Sequence, residues 1–378
     1  MDFNYSDEQQ QLSDSLARLL DDHYGFEQRR KIAAGEHGAS AAAWGHLAEM
    51  GVTALGIPEA FAGLGGGNVD RLPVLQAFGR HLVTEPYLAS VVLAATAVRE
   101  AGTPGQMDKL LTGVASGELV MAWAHDEPAA RHADLWVETR ARRDGSGWRL
   151  DGVKSTVLHA GLAQRFVVTA RVEGQPDDEQ GIALFLVDAQ AAGCALRSFR
   201  LVDDTPAGEL TLDGAVAEPL GDPADGARAL AALRATLAAG TAAVCADMVG
   251  AMETAFSLTT SYVNTRKQFG RLIGEYQALR HRVAEMNVGL EVARSMAIAA
   301  AVAADNPDAP DSATDLPRAK LLIGRQARAL AHAAIQSHGG IGMTEEYMVG
   351  HCLRRIHVLD QLFGDTDAQA ARLARVGA

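Results

Sequence analysis

The feature that most constrains the fold is a hydrophobic periodicity that changes twice along the chain. Residues 6–114 carry apolar side chains at the three- and four-residue spacing of helices. From residue 116 to about Pro219, short runs rich in β-branched and aromatic residues replace that spacing. After Asp222 the helical spacing returns over long segments. Because strands and helices do not alternate, the pattern argues against a doubly wound dinucleotide-binding domain.

The first helical region has a clear start and one interruption. Ser6 stands three residues before Gln9, which is the spacing of a capping box, and Leu12 and Leu16 continue an apolar face. Residues 51–67 contain too many glycines for a helix. They are predicted to form a long loop between helices.

The middle region is predicted to be a compact antiparallel β domain or barrel. Turns are expected at Asp144-Gly145 and at Asp151-Gly152. The strands are expected at residues 119–124, 136–141, 148–150, 166–170 and 182–187.

The last region is predicted to be an antiparallel four-helix bundle, because its helical segments are long and their connections short. The helices are expected at residues 226–265, 276–305, 317–337 and 344–363. The predicted fold class is therefore mainly α with a middle β domain. Its predicted domains are an N-terminal helical domain (1–115), a β domain (116–221) and a C-terminal bundle (222–378).

Charge and cysteine content narrow the function classes. The chain has 34 Lys+Arg against 47 Asp+Glu, a net charge of −13, and no basic run to neutralise a nucleic acid. Cys194, Cys245 and Cys352 lie far apart, so neither a zinc site nor a disulfide framework is expected. No secretory signal or charge-free run of ~18 residues is present in the sequence. These features predict a cytoplasmic protein with no nucleic-acid or membrane partner.

Residues 265–274, with the sequence TRKQFGRLIG, form the first candidate functional segment. They place a guanidinium, Arg266, and an aromatic ring, Phe269, at the end of a predicted helix. This pair suits a pyrophosphate and a stacked adenine or ribose. The alternative is a charged turn between helices in which Phe269 is a core anchor.

Residues 336–344, QSHGGIGMT, form the second candidate segment. The adjacent Gly339 and Gly340 would let the backbone approach a phosphate or ribose closely. The alternative is a glycine C-cap between two bundle helices, with His338 capping a helix end.

Together these segments, placed after a β region, resemble the acyl-CoA dehydrogenases, FAD enzymes that form an α,β-double bond in an acyl-CoA thioester. The resemblance covers essentially the whole chain. Its motifs are G-x-x-x-L-x-x-P-E (51–59), R-K-Q-F-G (266–270), Q-x-x-x-x-x-x-A-x-M (277–286) and Q-x-H-G-G (336–340). Residues 78–80, 85–88, His351 and 363–365 look most like small subunits of heteromeric, pimeloyl-CoA-type dehydrogenases.

The resemblance implies that this chain reaches the FAD held by a neighbouring subunit. The cofactor-binding residues that it implies are Arg266, Phe269, Gln277, Gln336, Gly339, Gly340 and Thr366. The flavin-contacting segments of the chain itself differ from the family. Residues 125–132 keep only Glu127-Pro128 of T-E-P-x-x-G-S-D, and in residues 154–160 Thr156 and Leu158 replace the tryptophan and threonine of K-x-W-I-T-N-G.

The resemblance also locates the catalytic base, a glutamate that removes the Cα proton. In the family's Y-E-G-T tetrad that glutamate corresponds to Gly364, and a second slot used by some members corresponds to Gly240. Asp365 is the weak candidate for a substitute base, because it is one residue away and shorter than glutamate.

The sequence therefore predicts a flavoprotein subunit that shares its FAD site with a larger homologous chain, which supplies the base. Two alternatives stay open: a self-sufficient homotetramer that uses Asp365, and a non-catalytic scaffold that binds acyl-CoA or a partner. The resemblance further implies an acyl-CoA substrate and an electron-transferring flavoprotein as electron acceptor. No metal site is expected, because His125, Asp126 and His132 lack a further spaced ligand.

Overall fold

The computed structural model describes residues 6–376. The chain forms two compact units. The barrel unit contains Ile32–Gly67 and Thr84–Gly240, and the helical unit contains the chain up to Lys31, Asn68–Val83 and the chain from Thr241 onward. The predicted fold class, mainly helical with a middle β domain, is confirmed.

The N-terminal region is helical, as predicted. The Ser6 capping box forms, because Gln9 N donates to Ser6 Oγ at 3.2 Å and Ser6 N donates to Gln9 Oε1 at 3.0 Å. The predicted loop over residues 51–67 is present and contains two short 3₁₀ turns. The helices are α1 (Asp7–His23), α2 (Phe26–Ala34), α3 (Ala41–Glu49), α4 (Asn68–His81), a π-helix (Leu88–Ala94), α5 (Ala95–Ala101) and α6 (Pro104–Ala115).

Seven strands form the sheet of the barrel unit. The ring β4-β2-β3-β7-β5 closes through pairing of β4 with β5, while β1 pairs with β4 and β6 with β7. Phe166, Phe185 and Leu210 are among the side chains that fill its core. The strands are β1 (Met121–Ala124), β2 (Arg140–Asp144), β3 (Gly147–Leu158), β4 (Arg165–Arg171), β5 (Ile182–Asp188), β6 (Cys194–Arg200) and β7 (Pro206–Pro219).

Three predictions for this region were wrong. The sheet is mixed, since β1 and β2 both pair with β4 in parallel. No strand covers Trp136–Thr139, because Val137 O accepts from the buried Arg171 Nε at 3.0 Å and Val137 N donates to the Pro176 carbonyl. Asp151-Gly152 is not a turn but a bulge inside β3, where a Cβ at Gly152 would lie 2.8 Å from Thr139 Cα.

The C-terminal region contains the four predicted long helices with shifted ends and one helix that was not predicted. α9 begins at Ser312 rather than at residue 317, and α10 begins at Met348 rather than at 344, because Gly339–Met343 form a 3₁₀ turn first. The elements are α7 (Gly226–Thr265), β8 (Lys267–Gln268), β9 (Arg271–Leu272), α8 (Gln277–Asp305), α9 (Ser312–His338), α10 (Met348–Gln361) and the additional α11 (Thr366–Val376).

In the helical unit, the backbones of α4 and α7 touch at two glycines. A Cβ on Gly79 would lie 2.0 Å from Asp247 O, and one on Gly250 would lie 2.0 Å from Gln76 O. Glycines therefore set the spacing of α4 and α7. A buried ion pair also joins α10 to α7, because Arg355 Nε donates to Asp247 Oδ1 at 3.1 Å.

Two helices, α7 and α8, have the length and apolar composition of a membrane span. In the most apolar window of α7, 67% of the residues are buried inside the protein, and in that of α8 44% are. Core helices of bundles have the same composition.

Candidate functional site

The R-K-Q-F-G segment begins a β-hairpin directly after α7, and the turn of this hairpin has two residues. Strands β8 and β9 pair, and Phe269 and Gly270 form the turn with φ of +54° and +85°. Two positive φ values are typical of a type I′ turn, in which a phenylalanine at the first position is strained. The ring of Phe269 is 90% exposed at the hairpin tip. The interpretation of Phe269 as a core anchor was therefore wrong.

The hairpin is stiffened at its base. Arg266 N donates to the Tyr262 carbonyl at 2.8 Å, and Ile273 N donates to the Arg266 carbonyl at 2.9 Å. The Arg271 guanidinium lies 4.0 Å from the centre of the Tyr276 ring. The side chains of Arg266 and of Gln277, the first residue of α8, are exposed.

The Q-x-H-G-G segment ends α9 and forms an exposed loop. Gln336, Gly339 and Gly340 are exposed, and in the following 3₁₀ turn Met343 is 76% exposed. Gly339 has φ of +64° and ψ of −140°, a conformation that favours glycine. A Cβ on Gly339 or Gly340 would meet no atom of the described chain within 4 Å. The surface above these two residues is therefore open to a ligand or to another subunit.

An aromatic cluster, Tyr262, His338 and Tyr347, lies beneath this loop. The His338 ring centre is 4.5 Å from that of Tyr262 and 5.0 Å from that of Tyr347. His338 Nδ1 donates to the Ala334 carbonyl at 2.8 Å, so His338 caps the end of α9. This agrees with the alternative interpretation of residues 336–344 as a helix cap. Burial lowers the pKa of His338, which keeps the imidazole neutral.

The turn at the family's base position lies between α10 and α11. Phe363 and Gly364 have φ of +60° and +89°. The carboxylate of Asp365 caps α11, because Ala368 N donates to Asp365 Oδ1 at 2.8 Å. The Asp365 carboxylate is therefore engaged as a helix cap, which argues against Asp365 as the catalytic base.

Buried polar groups hold this turn in place. Lys320 Nζ donates to the carbonyls of Leu359 and Asp360 at 3.0 and 2.7 Å. Gln369 Nε2 donates to the Phe363 carbonyl at 2.8 Å. Thr366 is buried and its hydroxyl donates to Asp360 Oδ1 at 2.9 Å, so a flavin contact by Thr366 stays a prediction.

A buried ion pair organises the barrel segments that match the family's own-flavin motifs. Lys154 Nζ donates to Glu127 Oε1 at 2.7 Å and to Thr169 Oγ1 at 3.0 Å. Burial acts to raise the pKa of Glu127, but Lys154 and hydrogen bonds from Thr139 outweigh burial and leave that pKa lowered. Burial lowers the pKa of His125 to about 3, so this side chain is neutral near pH 7. These groups satisfy one another and carry a structural role.

The remaining parts of these segments differ from the family motifs in sequence, and several of their residues have positive φ values. Arg131 has φ of +44° at the position of the motif's glycine, and His132 has φ of +67° at the position of its serine. Thr156 also has a positive φ, +48°, and Leu158 is buried. Within residues 6–376 no group of three His, Cys, Asp or Glu residues is placed to hold a metal ion.

The residues that support the glycine loop and the turn at the base position could not be predicted from the sequence. Tyr262, Tyr347, Lys320 and Gln369 belong to no motif, and their roles depend on contacts between distant helices. A lysine amid apolar residues of α9 was the one available signal, because a buried lysine requires partners.

Three family profiles match the chain. They are described as the N-terminal, middle and C-terminal domains of acyl-CoA dehydrogenase and match residues 6–118, 122–215 and 229–378. The chain is a member of the acyl-CoA dehydrogenase family, whose three-domain fold it shares.

Among curated relatives, acyl-CoA dehydrogenase FadE27 of Mycobacterium tuberculosis is 27% identical over 99% of this chain and 98% of its own length. Among solved structures, a Tcur3481-Tcur3483 steroid acyl-CoA dehydrogenase variant is 30% identical with a TM-score of 0.87, covering 98% of this chain and 97% of that one. The ChsE4-ChsE5 complex from Mycobacterium tuberculosis is 26% identical with a TM-score of 0.87, covering 99% and 98%.

Proposed function

We propose that this chain is a subunit of an FAD-dependent acyl-CoA dehydrogenase that lends residues to a neighbour's flavin and relies on that neighbour for the catalytic base. One observation carries the proposal. Phe269 is displayed in a strained, exposed position, while the base position holds Gly364 and Asp365 is engaged as a helix cap. The exposed hairpin and the loop at Gly339-Gly340, here called the outward segments, keep the residues of the family motifs. The position for proton removal holds no acid.

The outward segments fit the ADP part of FAD. The Arg266 guanidinium is exposed and suits a pyrophosphate, and Phe269 offers a ring face for stacking. Gly339 and Gly340 present backbone with open space above it, so a ribose or phosphate can come close. Gln336 and Gln277 add exposed amides on the two adjoining helices.

The chain's own barrel segments do not fit the isoalloxazine ring. Thr156 and Leu158 stand where the family has a flavin-facing tryptophan and threonine, and Leu158 is buried. When bound, FAD would accept the hydride that leaves the acyl Cβ. The carboxylate that accepts the Cα proton must come from the neighbouring chain, because Gly364 and Gly240 have no side chain for this task.

The partner we propose is a larger homologous acyl-CoA dehydrogenase chain, in the manner of a small subunit of a heteromeric enzyme. The two similar solved structures are of protein pairs, Tcur3481-Tcur3483 and ChsE4-ChsE5, which supports a two-chain assembly. A tetramer, an acyl-CoA substrate, an electron-transferring flavoprotein as acceptor and a cytoplasmic location complete the proposal.

The test compares the chain alone with the assembly that a tag on this chain purifies from its native cells. Short-, medium- and long-chain acyl-CoA thioesters serve as probes of flavin reduction. We expect the isolated chain to hold no FAD and the assembly to hold FAD that an acyl-CoA reduces. A yellow isolated chain whose flavin is reduced by acyl-CoA would contradict the proposal.

A further inference from the structure

The two outward segments are held by one aromatic cluster, although they are distant in sequence. Tyr262 lies one helical turn before Arg266 on α7, and its carbonyl accepts from Arg266 N at 2.8 Å. The Tyr262 ring in turn packs on His338, which lies directly before Gly339. A short path of contacts therefore joins the base of the hairpin to the base of the glycine loop.

The loop closes tightly on the same histidine. A Cβ on Gly342 would lie 3.1 Å from His338 Cβ and 3.1 Å from the Ile335 carbonyl, so the 3₁₀ turn is folded against the end of α9. Tyr347, which follows the 3₁₀ turn in sequence, also packs on His338, at 5.0 Å between ring centres. His338 is only 4% exposed, so its ring serves packing inside the subunit and does not itself contact a ligand.

We infer that the Tyr262–His338–Tyr347 cluster is a positioning device that sets the hairpin and the glycine loop at a fixed distance from each other. The inference rests on the proposed function, because the cluster would position the two segments that we propose to bind FAD. Phe269 and the Gly339-Gly340 backbone must meet one rigid ligand together, and misplacement of either segment loses affinity. Tyr262 and Tyr347 both pack on the histidine with tilted ring planes, and they also contact each other, with ring centres 6.4 Å apart.

The experiment measures the FAD dissociation constant of the tag-purified assembly after removal and return of the flavin. His338→Leu keeps the side-chain volume and removes the ring, and His338→Phe keeps the ring. We expect FAD binding to weaken roughly tenfold in His338→Leu, from two lost ring contacts, and to stay within about threefold in His338→Phe. His332→Ala, an exposed histidine of α9 outside the cluster, is the matched control and should bind FAD normally.

A double-mutant cycle separates positioning from general stability. If the cluster acts through the hairpin, His338→Leu should weaken FAD binding less in a Phe269→Ala background than alone. Melting temperatures of the flavin-free variants report any global loss of structure. Equal FAD affinity of His338→Leu and the unmodified chain, no rescue by His338→Phe, or independent effects in the cycle would each overturn the inference. If Phe269→Ala itself leaves FAD affinity unchanged, the proposed function fails instead.

Discussion

Replacing Phe269 with alanine separates what this side chain does in an assembly from what it does in its own subunit. The ring is 90% exposed and lies at the tip of a hairpin with φ of +54°. It therefore contributes little packing to its own chain. We expect the free energy of unfolding of the isolated chain to change by less than about 0.5 kcal/mol, as for other surface substitutions.

The expected effect on the assembly is much larger. If the exposed ring becomes buried against FAD and the neighbouring chain, its truncation removes the burial of a phenylalanine side chain, about 1.5–3 kcal/mol. That range corresponds to roughly 10- to 100-fold weaker FAD binding, since about 1.4 kcal/mol is a factor of ten. The turnover of assemblies saturated with FAD should fall less than their flavin affinity.

The assay is a titration of the flavin-free assembly with FAD, followed by the change in flavin fluorescence. Val202→Ala is the control, because Val202 is an apolar side chain that is 60% exposed on the barrel unit. Unchanged FAD affinity in Phe269→Ala would show that the ring does not contact FAD. A large loss of stability in the isolated chain would show instead that the ring is a core residue of its own subunit.

Substitutions at four further residues test the base position and the barrel. Asp365→Ala should cost about 1 kcal/mol of stability as a lost helix cap, while Asp365→Asn should keep both stability and turnover; loss of turnover in Asp365→Asn would identify a base. Gly364→Glu should lower stability by about 1–2 kcal/mol in urea unfolding, since φ is +89°, and should not let the isolated chain oxidise acyl-CoA. Glu127→Gln should cost about 3–5 kcal/mol, because Lys154 is then buried without its partner. The pKa of His125, about 3 when folded, makes its own contribution to stability fall as pH drops below about 6.5, by about 1.4 kcal/mol per unit down to about pH 3. Asp126, whose pKa burial raises to about 6, acts in the opposite direction, so His125→Gln should make the protein relatively more stable at acidic pH than the unmodified chain.

Much of the fold is predictable from the sequence because local patterns determine it. The Ser6 cap, the long helices and the strand-rich middle follow from spacing and capping residues. The errors arise where distant contacts decide. Val137 gives its carbonyl to Arg171 rather than to a strand, and Gly152 is a glycine because Thr139 lies against it.

In the candidate site as well, local motifs predict some features and contacts between distant residues determine the others. Motifs locate the hairpin and the glycine loop, but they do not decide whether Phe269 points into a core or into solvent, because burial depends on the neighbouring helices. The capping role of Asp365 requires α11, which the sequence reading left out. The aromatic cluster around His338 joins residues from α7, α9 and the start of α10, and no local pattern predicts their meeting.

The ratio of FAD to this chain in the assembly purified from native cells decides whether the chain shares a flavin site with a larger partner. Flavin released by denaturation is quantified by its absorbance, and both chains are quantified by amino-acid analysis. We predict one FAD for each pair formed by this chain and a larger homologous chain. One FAD per copy of this chain in an assembly that contains no other chain would contradict it.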